Sequence, residues 1–278
     1  MTVNAPLRHQ VFAGNRASGR LECSVVAGHG GTRRARVHEA GSLRVRFPHG
    51  ERGGALDAVM VNTAGGMAGG DRFDIDVTVG AGARLTATTA AAEKIYRSLG
   101  PDTEIGVKLT VGAGGALAWL PQETILFDQV RLRRRIDVDL AKDADLILAE
   151  AIVFGRSAMG ETVRSGRFFD RWRVRRDGTL VFAETLRLDG EIAERLAQRA
   201  SANSGVAVAT VLKLPGDEAS VAAVRAVERD FAGEVGVSAW NGLALARLVA
   251  PDGATLRRDL IGVAAALGGM PLPRLWLN

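Results

Sequence analysis

The segment "TVGAGARLTATT" (78–89) returns 32 residues later as "TVGAGGALAWLP" (110–121), and this repeat restricts the fold more than any other feature of the chain. Two looser echoes follow, "DLAKDADLILAE" (139–150) and "VRRDGTLVFAE" (174–184). Each unit reads as strand, tight turn, strand, with Gly or Asp supplying the turn conformations. Stacked repeats of short strands bury the face of one unit on the next. The prediction is a mainly β chain of layered, stacked sheets, either a sandwich or a short β-solenoid. Aligned on the first Leu after each turn, the units place Leu85, Leu117, Leu146 and Leu180 in equivalent positions, followed four residues later by Thr89, Pro121, Glu150 and Glu184. If all four units stack, Glu150 and Glu184 lie in phase on neighbouring layers.

The pattern changes after residue 190. "DGEIAERLAQ" fits a short helix, and the segment from Asp217 to Phe231 has acids at its start and Val221, Val224 and Val227 at helical spacing. "EVGVSAWNGLALARLVA" is a hairpin turning at Asn241-Gly242, and "DGATLRRDLIGVAAALGG" is a helix stopped by Gly268, Gly269 and Pro271. A single domain over residues 1–278 is expected, with a layered β core over 1–190 and a helix, hairpin, helix segment over 191–278, giving two or three helices toward the C-terminus.

Four glycines fall within six residues in "NTAGGMAGGD" (62–71). Gly65 and Gly70 have the spacing of the outer glycines of a phosphate-binding loop, but Asp71 and Arg72 stand where Lys and Ser or Thr are needed. The following "RFDIDVTV" alternates Phe73, Ile75, Val77 and Val79 with polar residues, the period of a half-buried strand. The loop therefore runs from strand to strand, without the helix N-terminus that holds a phosphate. Its glycines are expected to serve sharp turns and close backbone packing.

A net charge of +5 and the clusters "RLRRR" (131–135) and "RWRVRR" (171–176) invite a nucleic-acid partner. These clusters alternate with apolar residues and adjoin acids, as in "RIDVDL", so they read as solvated strand faces; one Tyr leaves few platforms for base stacking. Neither nucleic acid nor membrane is expected as a partner, since no apolar run reaches spanning length. With one cysteine, Cys23, and no signal-like leader, a soluble cytoplasmic protein is expected. The four histidines, His9, His29, His38 and His49, match no metal motif.

The carboxylates with most to say are Glu150 and Glu184. Glu150 interrupts "LILAEAIVF", with Leu146, Leu148, Ile152 and Phe154 on its own face and Ile147, Ala149, Ala151 and Val153 on the other; Glu184 repeats the situation in "LVFAETLRL". A strand apolar on both faces is buried on both. An ionised carboxylate there must be paired or face a polar cavity. An internal salt bridge to an arginine such as Arg156 or Arg187 is one solution. In "EKIYRS" (93–98) and "WLPQETILFD" (119–128), the polar residues fit capping or turn roles.

"NTAGGMAGGD", "EKIYRS", "WLPQETILFD", "FGRSAMGE" (154–161) and the terminal "PLPRLWL" stand in the order in which similar segments occur in the UreD (UreH) family of urease accessory proteins, which the chain resembles over nearly its whole length. The resemblance implies a non-catalytic protein of layered β-sheets with two helices. It also implies binding to UreF, recruitment of the GTPase UreG through UreF, and docking on apo-urease. Contact with UreF is expected on the C-terminal helices and tail. No tightly bound cofactor is implied, only nickel in transit through an internal passage. Carried over position by position, its lining would include Asp71, Thr88, Thr89, Glu150 and Glu184. A conduit must release its dication, and scattered carboxylates, hydroxyls and carbonyls suit that better than a His and Cys cage. Two other classes compete: a carbohydrate-active enzyme using Glu150 and Glu184 as acid and base, and an interaction module in which both are structural.

Overall fold

The computed structural model describes residues 16–48, 54–156 and 159–277. The described residues open with β1 (Ser18–Gly28), β2 (Gly31–Gly41), β3 (Leu43–Arg46), β4 (Leu56–Asn62), β5 (Arg72–Val79), β6 (Arg84–Thr89) and β7 (Glu93–Ile95). It continues through β8 (Thr103–Val111), β9 (Ala116–Trp119), β10 (Thr124–Leu126), β11 (Val130–Leu140), β12 (Asp145–Phe154), β13 (Ser165–Arg176) and β14 (Thr179–Glu191). The C-terminal part holds α1 (Ile192–Ala197), β15 (Ala207–Leu214), α2 (Glu218–Ala226), β16 (Glu234–Trp240), β17 (Leu243–Ala250) and α3 (Gly253–Leu267).

Two sheets result. The first runs β14-β13-β11-β8-β5-β1-β2; the second runs β16-β17-β15-β12-β9-β6-β4-β3, with β10 paired to β12 and β7 to β10. At their centre the repeat behaves as a solenoid. β5, β8 and β11 lie parallel in the first sheet, each crossing to β6, β9 and β12, parallel in the second. Leu85, Leu117 and Leu146 are direct register partners, as their equivalent positions require. The crossings stack on one another: Gly82 donates to the carbonyl of Ala113 at 2.9 Å, and Ala141 to that of Val111 at 2.9 Å. Gly82 and Gly114 occupy the same place in successive turns at φ 65° and 59°, a conformation costly for other residues.

The fourth echo departs from this pattern. β13 adds to β11 in parallel as a fourth coil would, but Asp177 and Gly178, at φ 49° and 75°, close a two-residue hairpin. The chain then returns as β14, antiparallel to β13 in the same sheet. Two adjacent positive-φ residues match the twist of a hairpin and reverse the strand before it can cross. Glu184 therefore pairs opposite Trp172, and the predicted stacking of Glu184 beside Glu150 does not occur.

Apolar alternation produces two cores. Leu146, Leu148, Ile152 and Phe154 of β12 face the first sheet, while Ile147, Ala149, Ala151 and Val153 face Leu256, Leu260 and Val263 of α3. Both helices facing the sheet begin at acids: Asp217 accepts from Ser220 N at 3.0 Å, and Asp252 from Thr255 N at 2.8 Å. α2 ends at Ala226, short of the predicted Phe231, and a 3-10 turn over 228–230 follows. The β16–β17 hairpin turns at Asn241 and Gly242, both at positive φ. Trp276 lies buried and donates to the carbonyl of Leu120 at 3.1 Å, fastening the C-terminal tail to the second sheet. No described helix is long and apolar enough to cross a membrane.

Candidate functional site

The alternation that buries β11 and β13 also buries charge. In β11, Leu132, Arg134, Ile136 and Val138 share the inward face; in β13, Phe168, Asp170, Trp172 and Val174 do. Arg134 and Asp170 are register partners on adjacent strands, and Glu150 meets them from the opposite sheet. Nε of Arg134 donates to Asp170 Oδ1 at 3.0 Å and Nη2 to Oδ2 at 2.6 Å, while Nη1 donates to Glu150 Oε2. Two indoles complete the cluster: Trp119 Nε1 donates to Glu150 Oε1 at 2.8 Å, and Trp172 Nε1 to Asp170 Oδ2 at 3.1 Å. Arg134 is 3% exposed and Glu150 6%, so one guanidinium holds two carboxylates in the sandwich interior.

Burial disfavours every charge here. It works against the cation of Arg134, but Asp170 and Glu150 outweigh it and hold the guanidinium protonated beyond its ordinary range. Burial pushes the Glu150 carboxyl up, with the positive charge of Arg134 and the Trp119 hydrogen bond pulling it back. Removing one partner of such a group typically costs about 3–5 kcal/mol, because the remaining charge is stranded.

Space opens on both sides of the cluster. A cavity of about 340 Å³ between the sheets is lined by Asn62, Thr89, Glu93, Trp119, Arg134 and Glu150, among others. A cleft of about 30 Å³ is lined by Arg134, Glu150, Asp170, Trp172, Glu184 and Thr210. The larger cavity contains a second perturbed acid, Glu93, which receives Asn62 Nδ2 at 2.9 and 3.1 Å. Burial pushes its carboxyl up to about 7, opposed by the bonds from Asn62 and the Lys94 backbone. Glu93 thus exceeds the capping role predicted for its segment.

The residues proposed from sequence separate into groups. Glu150 and Thr89 line the larger cavity; Glu150 and Glu184 line the cleft. The Thr89 hydroxyl accepts from Gln122 N and donates to the Ala91 carbonyl, each at 2.9 Å. Thr88 points to the opposite face of β6, into a separate cavity of about 400 Å³ with Thr86, Asp57 and Arg274. Its buried hydroxyl and that of Thr86 have no hydrogen-bond partner among the described residues. Asp71 is 5% exposed and clamps backbone, accepting from Ala17 N at 2.8 Å and Ala68 N at 2.7 Å. In the same loop, the missing side chain of Gly66 leaves room for the ring of Tyr96, whose hydroxyl donates to the Gly65 carbonyl at 3.0 Å.

The arginines differ from those anticipated. Glu150 takes Arg134 and Glu184 takes Arg247 at 2.8 Å, whereas Arg156 pairs with Glu161 and Arg187 with Asp189. Arg134 and Asp170 were not singled out from the sequence, although strict alternation places both on apolar faces. His29 and His38 are exposed, and His9 and His49 lie outside the described residues. Cys23 is buried, and burial pushes its thiol up to about 11. No group of three or more His, Cys, Asp or Glu among the described residues is arranged to hold a metal ion.

Comparison with known sequences bears on the chain as a whole. The family model of the UreD urease accessory protein matches residues 16–277. Over 268 residues the chain is 60% identical to the urease accessory protein UreD of Rhodopseudomonas palustris (strain HaA2), with 96% of each chain covered. It is 56% identical over 268 residues to a urease accessory protein UreD of Bradyrhizobium diazoefficiens, again with 96% of each covered.

Proposed function

The chain belongs to the UreD family of urease accessory proteins, and from that premise we propose that it is a non-catalytic scaffold for urease maturation. It binds UreF, and UreG through UreF, docks on apo-urease, and passes nickel through its interior toward the urease active site. The observation that carries this reading is the pair of cavities meeting at Glu150 inside the sandwich. Their polar lining is mostly oxygen and amide groups, Asn62, Thr89, Glu93, Gln122, Thr124, Glu150, Asp170, Glu184 and Thr210, with Lys94 and Arg134 as its cations. Oxygen ligands without a closed cage let a dication bind and leave, which transit requires. On this reading Thr89, Glu150 and Glu184 border the route, while Asp71 holds the loop and Thr88 faces a different cavity.

Glu150→Gln and Glu184→Gln test it. Each variant should still fold and capture UreF, Glu150→Gln at some cost in stability because Arg134 keeps only Asp170 as its partner, while urease matured with it lacks nickel and activity. Normal nickel loading of urease with either variant removes that residue from the route. If stability and UreF capture decline in step with activation, the residue is structural, and the interaction-module reading replaces this one.

A further inference from the structure

The larger cavity and the cleft adjoin. The residues common to both linings are Arg134 and Glu150, and the guanidinium sits between Glu150 of one sheet and Asp170 of the other. Resting on the passage reading above, we propose that Arg134 is the barrier and charge filter of the passage: a tethered cation that an incoming divalent ion must displace from the two carboxylates.

Stability alone gives little reason for such a group. Replacing a buried ion triad with well-packed apolar residues is often neutral or stabilising. The neighbouring positions Leu132 and Ile136 show that apolar side chains fit this face. The charges do provide selectivity. Two carboxylates and one guanidinium sum to −1. A monovalent ion replaces the guanidinium one for one and gains nothing, leaving the arginine without its partners. A divalent ion neutralises both carboxylates at once, so only for it does the exchange improve the balance. The displaced side chain has room, since Arg134 already lines the cavity of about 340 Å³. The same competition keeps the metal from resting there, because the returning guanidinium expels it. Arg134 thus acts through Glu150 and Asp170, as a positioning residue rather than a ligand.

Nickel chloride is the probe, read by equilibrium dialysis on the purified full-length chain and by urease activation in cells. R134Q leaves both carboxylates without their cation and should hold nickel at least about tenfold more tightly than the parent. Urease activation should fall in that variant because the ion is retained. R134K, which keeps the charge but loses the two-pronged geometry, should keep nickel binding near the parental level; a gain in R134Q with none in R134K is a contrast that a purely structural arginine would not give. R134Q/E150Q/D170N should lose the gain. A folded R134Q that binds nickel no more tightly than the parent overturns the proposal, as does a gain that survives in the triple variant. Should R134Q fail to fold, R134Q/D170N, with one carboxylate left, is compared with the triple variant, and equal nickel affinities overturn the proposal. The passage fails separately: normal urease activation by E150Q and by E184Q, each with Arg134 intact, leaves no carboxylate of the cleft on the route and refutes it, whatever nickel binding R134Q shows.

Discussion

Glu93 pairs a large expected effect with a clear sign. Its side chain is half-buried at the inter-sheet cavity and receives the Asn62 amide, and its carboxyl moves from the ordinary 4.5 to about 7. Each tenfold change in proton affinity is worth about 1.4 kcal/mol, so ionised Glu93 destabilises the fold by about 3 kcal/mol. At pH values below 4.5 both the folded and the unfolded chain are protonated at this residue and the penalty is absent. As the pH climbs from 4.5 toward 7, the unfolded chain releases the proton first while the folded chain keeps it, so stability falls; above 7 it levels off. Glu93→Gln removes the titration and leaves a carbonyl oxygen for Asn62 Nδ2. The variant should match the parent near the acid end and exceed it by about 3 kcal/mol near pH 8. Urea unfolding of both proteins across that range measures the gap. A gap independent of pH, or a parent more stable than the variant near pH 8, would refute the assignment of burial as the dominant cause.

Other substitutions probe the parts that hold this site in place. Asp71→Asn puts an amide donor against one of the backbone donors of Ala17 and Ala68, and should cost about 2 kcal/mol in chemical denaturation; unchanged stability would return Asp71 to the candidate lining of the passage. In Gly69→Ala the new Cβ falls 1.9 Å from Ser98 Oγ and 2.7 Å from the Pro101 carbonyl oxygen. Since the second contact is with backbone, a loss of about 1–3 kcal/mol is expected, with a lowered Tm. Trp276→Ala empties a buried indole site that is 3% exposed and should cost about 3 kcal/mol or more. Limited proteolysis should then cut within the C-terminal tail before the sheets open; a tail that stays protected would contradict the role of Trp276 as its anchor.

The coils were legible because their information is local. Small-residue turns and period-2 alternation recur within each unit, and once the turns match, Leu85, Leu117 and Leu146 fall into register. The fourth unit misled because alignment on Leu180 outweighed the turn before it, and Asp177-Gly178 is a hairpin signature. The cavities were not legible at all, since they depend on which side chains fail to fill the space between two sheets. Arg134 and Asp170 lie between these cases. Their clusters, "RLRRR" and "RFFDRWRV", are dominated by outward arginines, and surveying charge by density hides the one inward residue in each. Counting each face separately isolates them: β11 has one cation among Val130, Leu132, Ile136 and Val138, β13 one acid among Phe168, Trp172 and Val174, and β12 one acid among Leu146, Leu148, Ile152 and Phe154. Because β11 pairs directly with β13 and crosses to β12, three isolated interruptions become one charged layer. What marks this site in the sequence is therefore a single wrong residue on each of three apolar faces, and it takes the fold's register to show that the three answer one another.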